Sequence, residues 1–211
     1  MAELRRRTGA ARPHHPRGLS VGEVSGRAAV RPELLFKRSG VEVGTVAAEN
    51  DFSLRPVTAD DLPAVLAVYR QSEDFLALGT AAASPETVQK DLALSAEAGG
   101  IFYGIFDRDG LMRGVLDVIP AGFGGERFHA FIELLMIAQP YRGAGLGARV
   151  LAHIEQFLYR DHLARAVLAA VQTNNPAALR FWARQGYNTI GAPELQPDGT
   201  TTVMLRKTLD F

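Results

Sequence analysis

At 211 residues the chain has room for one ordinary domain with an appendage, and 47% hydrophobic and 22% charged residues are the proportions of a soluble globular protein. With no cysteine it has no disulfide, thiolate metal site or cysteine nucleophile, and no apolar run reaches the 18 residues a membrane span needs. The formal net charge of zero hides an asymmetry: residues 1–40 hold nine Lys or Arg against three Glu, leaving 14 basic and 20 acidic residues in the rest.

The basic stretch comes first. Residues 1–27 mix Gly, Pro, Arg and Ser without apolar periodicity and are expected to be a disordered leader. Within residues 28–49, Val41, Val43 and Val46 nearly alternate with polar residues, a pattern for one short strand. Residues 1–50 are thus read as a basic extension and 51–211 as the compact domain. Nucleic acid is not an expected partner except through this arm. The histidines have no metal-ligand spacing, so no metal is expected. A cytoplasmic location agrees with the missing disulfide framework.

Phe52–Pro56 reads as the first strand, and a helix over Ala59–Gln71 carries Leu62, Val65, Leu66 and Tyr69 at helical spacing. Thr58 with Asp61 three residues later is its start signal. Ser84-Pro85 opens a second helix to about Ala98. A meander follows: Ile101–Asp107, the Asp109-Gly110 turn, Gly114–Pro120, a turn at Gly122–Gly125, then the almost wholly apolar Phe128–Ala138. The pattern next predicts a helix over 143–160, a buried strand Arg165–Gln172, a helix Pro176–Gln185, and strands Tyr187–Ile190 and Thr201–Thr208. This order gives an α/β (α+β) fold: a mixed, mostly antiparallel sheet of six to seven strands flanked by about four helices.

The stretch Gln139–Ala148 carries the chemistry. A buried strand runs into a helix whose first turn is expected to hold Gly143, Gly145 and Gly147. N–H groups at a helix start lack intrahelical partners, the helix dipole favours anions, and glycine lets phosphate oxygens approach the backbone. Glycine in a helix costs up to about 1 kcal/mol relative to alanine, so folding alone explains three in one turn poorly. The phosphate ligands are then the main-chain donors of Gly143, Ala144, Gly145, Leu146, Gly147 and Ala148, with Arg142 at the rim. A P-loop is excluded by the missing Gly-Lys-Ser/Thr, and a dinucleotide fingerprint by the G-x-G-x-G spacing.

Arg142-Gly-Ala-Gly145-Leu-Gly147 resembles the R/Q-x-x-G-x-G/A signature of the GNAT superfamily of N-acetyltransferases. Asn175-Pro-Ala-Ala178-Leu-Arg-Phe181-Trp182-Ala-Arg-Gln-Gly186-Tyr187 resembles that superfamily's N-x-x-A-x-x-[LF]-[YW]-x-x-x-G-[FY]. The resemblance covers about residues 51–208 and implies the GNAT fold, acetyl-CoA as co-substrate, and direct acetyl transfer to an amine of a small molecule, peptide or protein. It is compatible with a homodimer. It implies pantetheine binding by the backbone of Leu135, Met136 and Ile137, and a cofactor contact at Asn175. Asn175 before Pro176 also reads as a helix N-cap, and Gly186 as a left-handed helix end. Phe181 and Trp182 read as packing.

An amine acceptor needs a base, and Glu133 is the candidate, a carboxylate in an apolar strand on the face expected to carry Leu135 and Ile137. A structural carboxylate is the competing reading, and His129 at the strand start is a weaker alternative base. Many members of the superfamily have an acidic Tyr where this chain has Trp182, whose indole is no useful acid. Tyr187, another Tyr or solvent is left to protonate the leaving thiolate. That departure motivates an alternative function, a CoA-binding sensor or interaction module with weak catalysis.

Overall fold

The computed structural model describes residues 51–79 and 81–211. The expected leader at 1–27 and the short strand within 28–49 lie outside the described residues.

Seven strands form one sheet in the order β1-β2-β3-β4-β5-β7-β6. They are β1 Phe52–Pro56, β2 Ile101–Asp107, β3 Met112–Ile119, β4 His129–Ile137, β5 Ala166–Gln172, β6 Asn188–Leu195 and β7 Thr201–Thr208. Every pairing is antiparallel except β4 with β5. The α-helices are α1 Leu62–Arg70, α2 Glu73–Leu76, α3 Pro85–Glu97, α4 Leu146–Asp161 and α5 Pro176–Arg184.

Local chemistry explains most boundaries. The Thr58 signal is a true capping box: Asp61 Oδ2 accepts from the Thr58 N–H and hydroxyl, both at 2.8 Å. Arg55 donates to both Asp61 oxygens at 2.7 Å, and that guanidinium holds the Asp61 carboxyl down at about 2. The cap starts a 3-10 turn at Ala59–Asp61 that runs directly into α1, so the helical run begins at Ala59 as the apolar spacing predicts, with its first turn wound more tightly. Ser84 caps α3 by accepting from the Thr87 N–H at 3.2 Å, with Pro85 at the first helical position.

Alternation along the strands separates two cores. Leu54, Tyr103, Ile105, Leu116 and Ile132 pack under Val150, Leu151, Ile154 and Leu158 of α4 and Trp182 of α5. On the other face Phe102, Val115 and Met136 meet Val65 and Tyr69 of α1 and Val88 and Leu92 of α3. Leu158 has no exposed surface, and burying such a side chain stabilises by about 1.5–3 kcal/mol.

β6 runs on past Ile190 to Leu195, because its pairing with β7 shifts register between Ile190 and Glu194 and absorbs Gly191 and Pro193. Among the described residues no helix is long and apolar enough to cross a membrane.

Candidate active site

The site begins where two parallel strands part. β4 pairs with β5 only from His129–Ile132 against Ala166–Ala169, although β4 continues to Ile137 and β5 to Gln172. β5 keeps β7 on its other edge along its full length. A gap therefore opens beyond Ile132, and one edge of β4 faces it without a strand partner among the described residues. Amides alternate in direction along a strand. The Ala138 N–H bonds to Arg113 O on the β3 side, and the Met136 carbonyl also points at β3, where a Cβ on Gly114 would lie 2.6 Å away. The main-chain groups of Leu135 and Ile137 thus face the gap, and those of Met136 do not.

At the mouth of the gap β4 carries a bulge. Asp117 of β3 pairs with Leu134 and Val118 with Ile132, leaving Glu133 as the extra residue. The bulge shifts the phase of the strand. Ala130 and Ile132 belong to the core under α4, and so do Leu135 and Ile137, whereas Leu134 and Met136 belong to the core under α1 and α3. Glu133 therefore does not share a face with Leu135 and Ile137, as strict alternation predicts. It couples instead to Asp117 and Asp91. The Glu133 residue is accessible to water, yet the surrounding groove raises its pKa by desolvation first and by the Asp91 charge second. His129 sits in the paired part of the strands, short of the gap.

Beyond Ile137 the chain makes a 3-10 turn at Gln139–Tyr141 and a loop, and α4 starts at Leu146. A helix from residue 143 is overturned by the backbone: Gly143 has φ +84° and Gly145 φ +78°, left-handed values that no helical residue adopts. Only Gly147 of the three glycines lies in the helix. It packs between Ile137 and Phe181, each 3.6 Å from where a Cβ would be. Among the described residues the N–H groups from Gly143 to Ala148 meet no hydrogen-bond acceptor, whereas the Arg142 N–H is used by Gln139 O and the Arg149 N–H by Gly145 O. This row of donors heads a helix of 16 residues.

Side chains hold the loop in shape. Arg142 donates through Nε to Ile137 O at 2.7 Å and pairs through Nη1 with Asp74 of α2. Arg149 donates to Ala144 O at 2.9 Å and pairs with Asp51. Asn175 caps α5, its Oδ1 accepting from the Ala178 N–H at 2.9 Å, and stands just past the end of β5. Asn174 donates to Leu78 O at 2.9 Å, tying that end of β5 to the segment after α2. A cavity of about 280 Å³ adjoins the loop, lined by Arg142, Ala144, Leu146 and Arg149 together with Phe106 and Arg113.

A polar group on the α1/α3 face flanks Glu133. Tyr69 donates to Asp91 at 2.7 Å and Ser95 to Asp117 at 2.6 Å. Burial, then Glu133, then Asp91 raise the Asp117 carboxyl to about 7. Asp117 and Asp91 escaped the sequence reading. The signal was present, since Asp117 interrupts the apolar run of β3 as Glu133 interrupts that of β4. Arg149 gave no comparable signal, because an arginine in a first helical turn is ordinary.

Neither Trp182 nor Tyr187 of the second motif is placed for proton transfer. Trp182 is buried against Phe181 and Tyr187 in edge-on contacts. Tyr187 donates to Glu155 at 2.8 Å, and burial followed by the Glu155 charge raises its pKa above the usual tyrosine value. Lys207 completes the group at 2.6 Å from Glu155. Tyr187→Phe is expected to lower stability by about 1.5–3 kcal/mol, a hydrogen bond to a charged group, and to leave turnover unchanged. Thermal unfolding with steady-state rates checks this; unchanged stability with lost turnover would restore Tyr187 as the acid.

Comparison with known proteins agrees with this fold. The family described as Acetyltransferase (GNAT) family matches residues 66–187. An acetyltransferase structure from Thermus thermophilus superposes with a TM-score of 0.64 at 26% identity, over 76% of this chain and 98% of that one. A Salmonella typhimurium acetyl transferase that modifies the N-terminal serine of ribosomal protein L7/L12 gives 0.65 at 18% identity, over 79% and 100%. Spermidine N-acetyltransferase from Vibrio cholerae, in complex with CoA and spermine, gives 0.60 at 12%, over 75% and 95%. A search of curated proteins finds no match.

Proposed function

The chain belongs to the acetyltransferase (GNAT) family, and from that premise we propose that it transfers the acetyl group of acetyl-CoA directly to a primary amine of a small molecule, peptide or protein. The observation that carries this reading is the row of unpaired N–H groups from Gly143 to Ala148 at the end of a strand with one free edge. The donors suit a diphosphate, with Arg142 beside them. The main-chain groups of Leu135 and the N–H of Ile137, whose carbonyl is taken by Arg142, suit the amides of a pantetheine arm, and Asn175 stands at the opposite wall.

Acetyl-CoA supplies the activated thioester, whose C–S bond breaks as the amine nitrogen bonds to the carbonyl carbon. The chain has to hold that thioester and take up the amine's proton. An amine resembling lysine, of pKa about 10.4, needs about 4–5 kcal/mol to lose its proton at pH 7. Glu133 stands at the mouth of the gap with a raised affinity for protons, and it is the base in this reading. Tyr187 is engaged with Glu155 and Trp182 has no acidic proton, so solvent protonates the departing thiolate.

Relatives with the same fold act on a protein N-terminus in one case and on spermidine in another, which supports an amine acceptor without naming one. The test mixes the protein, acetyl-CoA and a panel of amines: spermidine, peptides beginning with Ser or Ala, and a lysine peptide. Release of free thiol above the rate of acetyl-CoA hydrolysis is expected with at least one class. Saturable CoA binding with no release across the panel would favour the alternative, a binding module without turnover.

A further inference from the structure

Asp117 is buried, with 3% of its surface exposed, and no Lys or Arg among the described residues pairs with it. Its carboxyl accepts from the Ser95 hydroxyl at 2.6 Å and from the Val118 N–H, both of them neutral donors. Two neutral donors suit a carboxyl's two oxygens but do not offset a charge, and leaving an ionised carboxyl without a cation in the interior costs several kcal/mol. The bulge sets Glu133 and Leu134 together opposite Asp117, so the two carboxyls share one face across adjacent strands.

The other groups facing Asp117 are few. From α3 come Ser95 and Asp91, the latter beside Lys90, and from α1 comes Tyr69 through its bond to Asp91. From β2 the paired residue is the apolar Phe102, and Gly100 leads into that strand close against the Ser95–Asp117 bond. No cation stands among the groups that touch it.

We propose that Asp117 is a positioning residue for acyl transfer: it retains the single proton of a coupled Asp117–Glu133 pair, so that Glu133 is the ionised member facing the amine. This rests on the reading of Glu133 as the base. Like charges on neighbouring carboxyls cannot both form cheaply, and the more buried member keeps the proton. The amine's proton passes to the Glu133 carboxylate, and on the acid side of its own titration Asp117 takes no part in that transfer and keeps its proton. When Asp117 ionises at higher pH, its charge makes Glu133 a stronger base and draws a cationic amine more strongly.

The experiment is a carboxyl carbon-13 NMR titration of the full chain, unmodified and as Asp117→Asn and Glu133→Gln. One resonance, absent in Asp117→Asn, is expected to titrate near neutral pH and to fall by on the order of one pH unit in Glu133→Gln. Rates of thiol release add a functional readout. In the unmodified protein kcat/KM rises a further step through neutral pH, and Asp117→Asn loses that step while binding CoA normally. A carboxyl titrating in the ordinary aspartate range, or one unmoved by Glu133→Gln, overturns the proposal. So does an Asp117→Asn profile lowered equally at every pH, which marks a purely structural role. The titration needs neither CoA nor an acceptor, so failure of the coupling and failure of acetyl transfer are read separately.

Discussion

Gly145→Glu is expected to weaken CoA binding by at least about 100-fold, roughly 2.8 kcal/mol, in a protein that still folds. Gly145 stands at φ +78° between the left-handed Gly143 and the first residue of α4, and a Cβ there would lie 3.3 Å from Arg149 Nη1. An L residue in this conformation costs about 1–2 kcal/mol, which a domain with two continuous cores tolerates. The larger effect is electrostatic, because the new carboxylate projects beside the N–H groups that suit an anion and repels a diphosphate. Gly145→Ala separates the two contributions: it takes on the same backbone strain without the charge and retains CoA affinity within about tenfold. Calorimetry reads the affinities and circular dichroism the fold. A Gly145→Glu protein that binds CoA like the unmodified one would place the diphosphate elsewhere.

Glu133→Gln is expected to lower kcat by about 10²- to 10⁴-fold near neutral pH, the usual worth of a positioned base, with CoA affinity unchanged. Glutamine keeps the size of the side chain at the bulge and removes its capacity to take a proton. The deficit shrinks as pH rises toward the amine's own pKa, because the acceptor then arrives neutral. The acid limb of the unmodified enzyme lies above the ordinary glutamate range, since desolvation and Asp91 raise the Glu133 pKa. Rates within threefold of the unmodified enzyme across that range would remove Glu133 from the chemistry.

These two positions differ in how openly the amino-acid sequence displays them. The loop was legible because glycines at 143, 145 and 147 next to a buried strand have few uses other than close approach to a ligand. Their conformations were not, since spacing cannot distinguish a glycine inside a helical turn from one held left-handed before it. The succession of strands along the chain follows from alternation and from turn residues such as Asp109-Gly110, whereas their order in the sheet, with β7 between β5 and β6, does not. Helix α2 escaped because four residues are too few to show a period. The face of the sheet on which Glu133 stands is not legible either. A bulge is a property of two strands together, and the slip between Asp117 and Val118 leaves no mark in either strand alone. That slip sets Glu133 and Leu134 opposite Asp117, a juxtaposition that neither strand displays alone.

Below the family level the account depends on main-chain donors between Gly143 and Ala148 holding a diphosphate, and comparing CoA with pantetheine tests this most directly. Calorimetric titration of the unmodified protein is expected to show saturable CoA binding at least about 100-fold tighter than pantetheine, which has the same arm but no diphosphate. Equal affinities, or a flat CoA titration with folded protein, would contradict it.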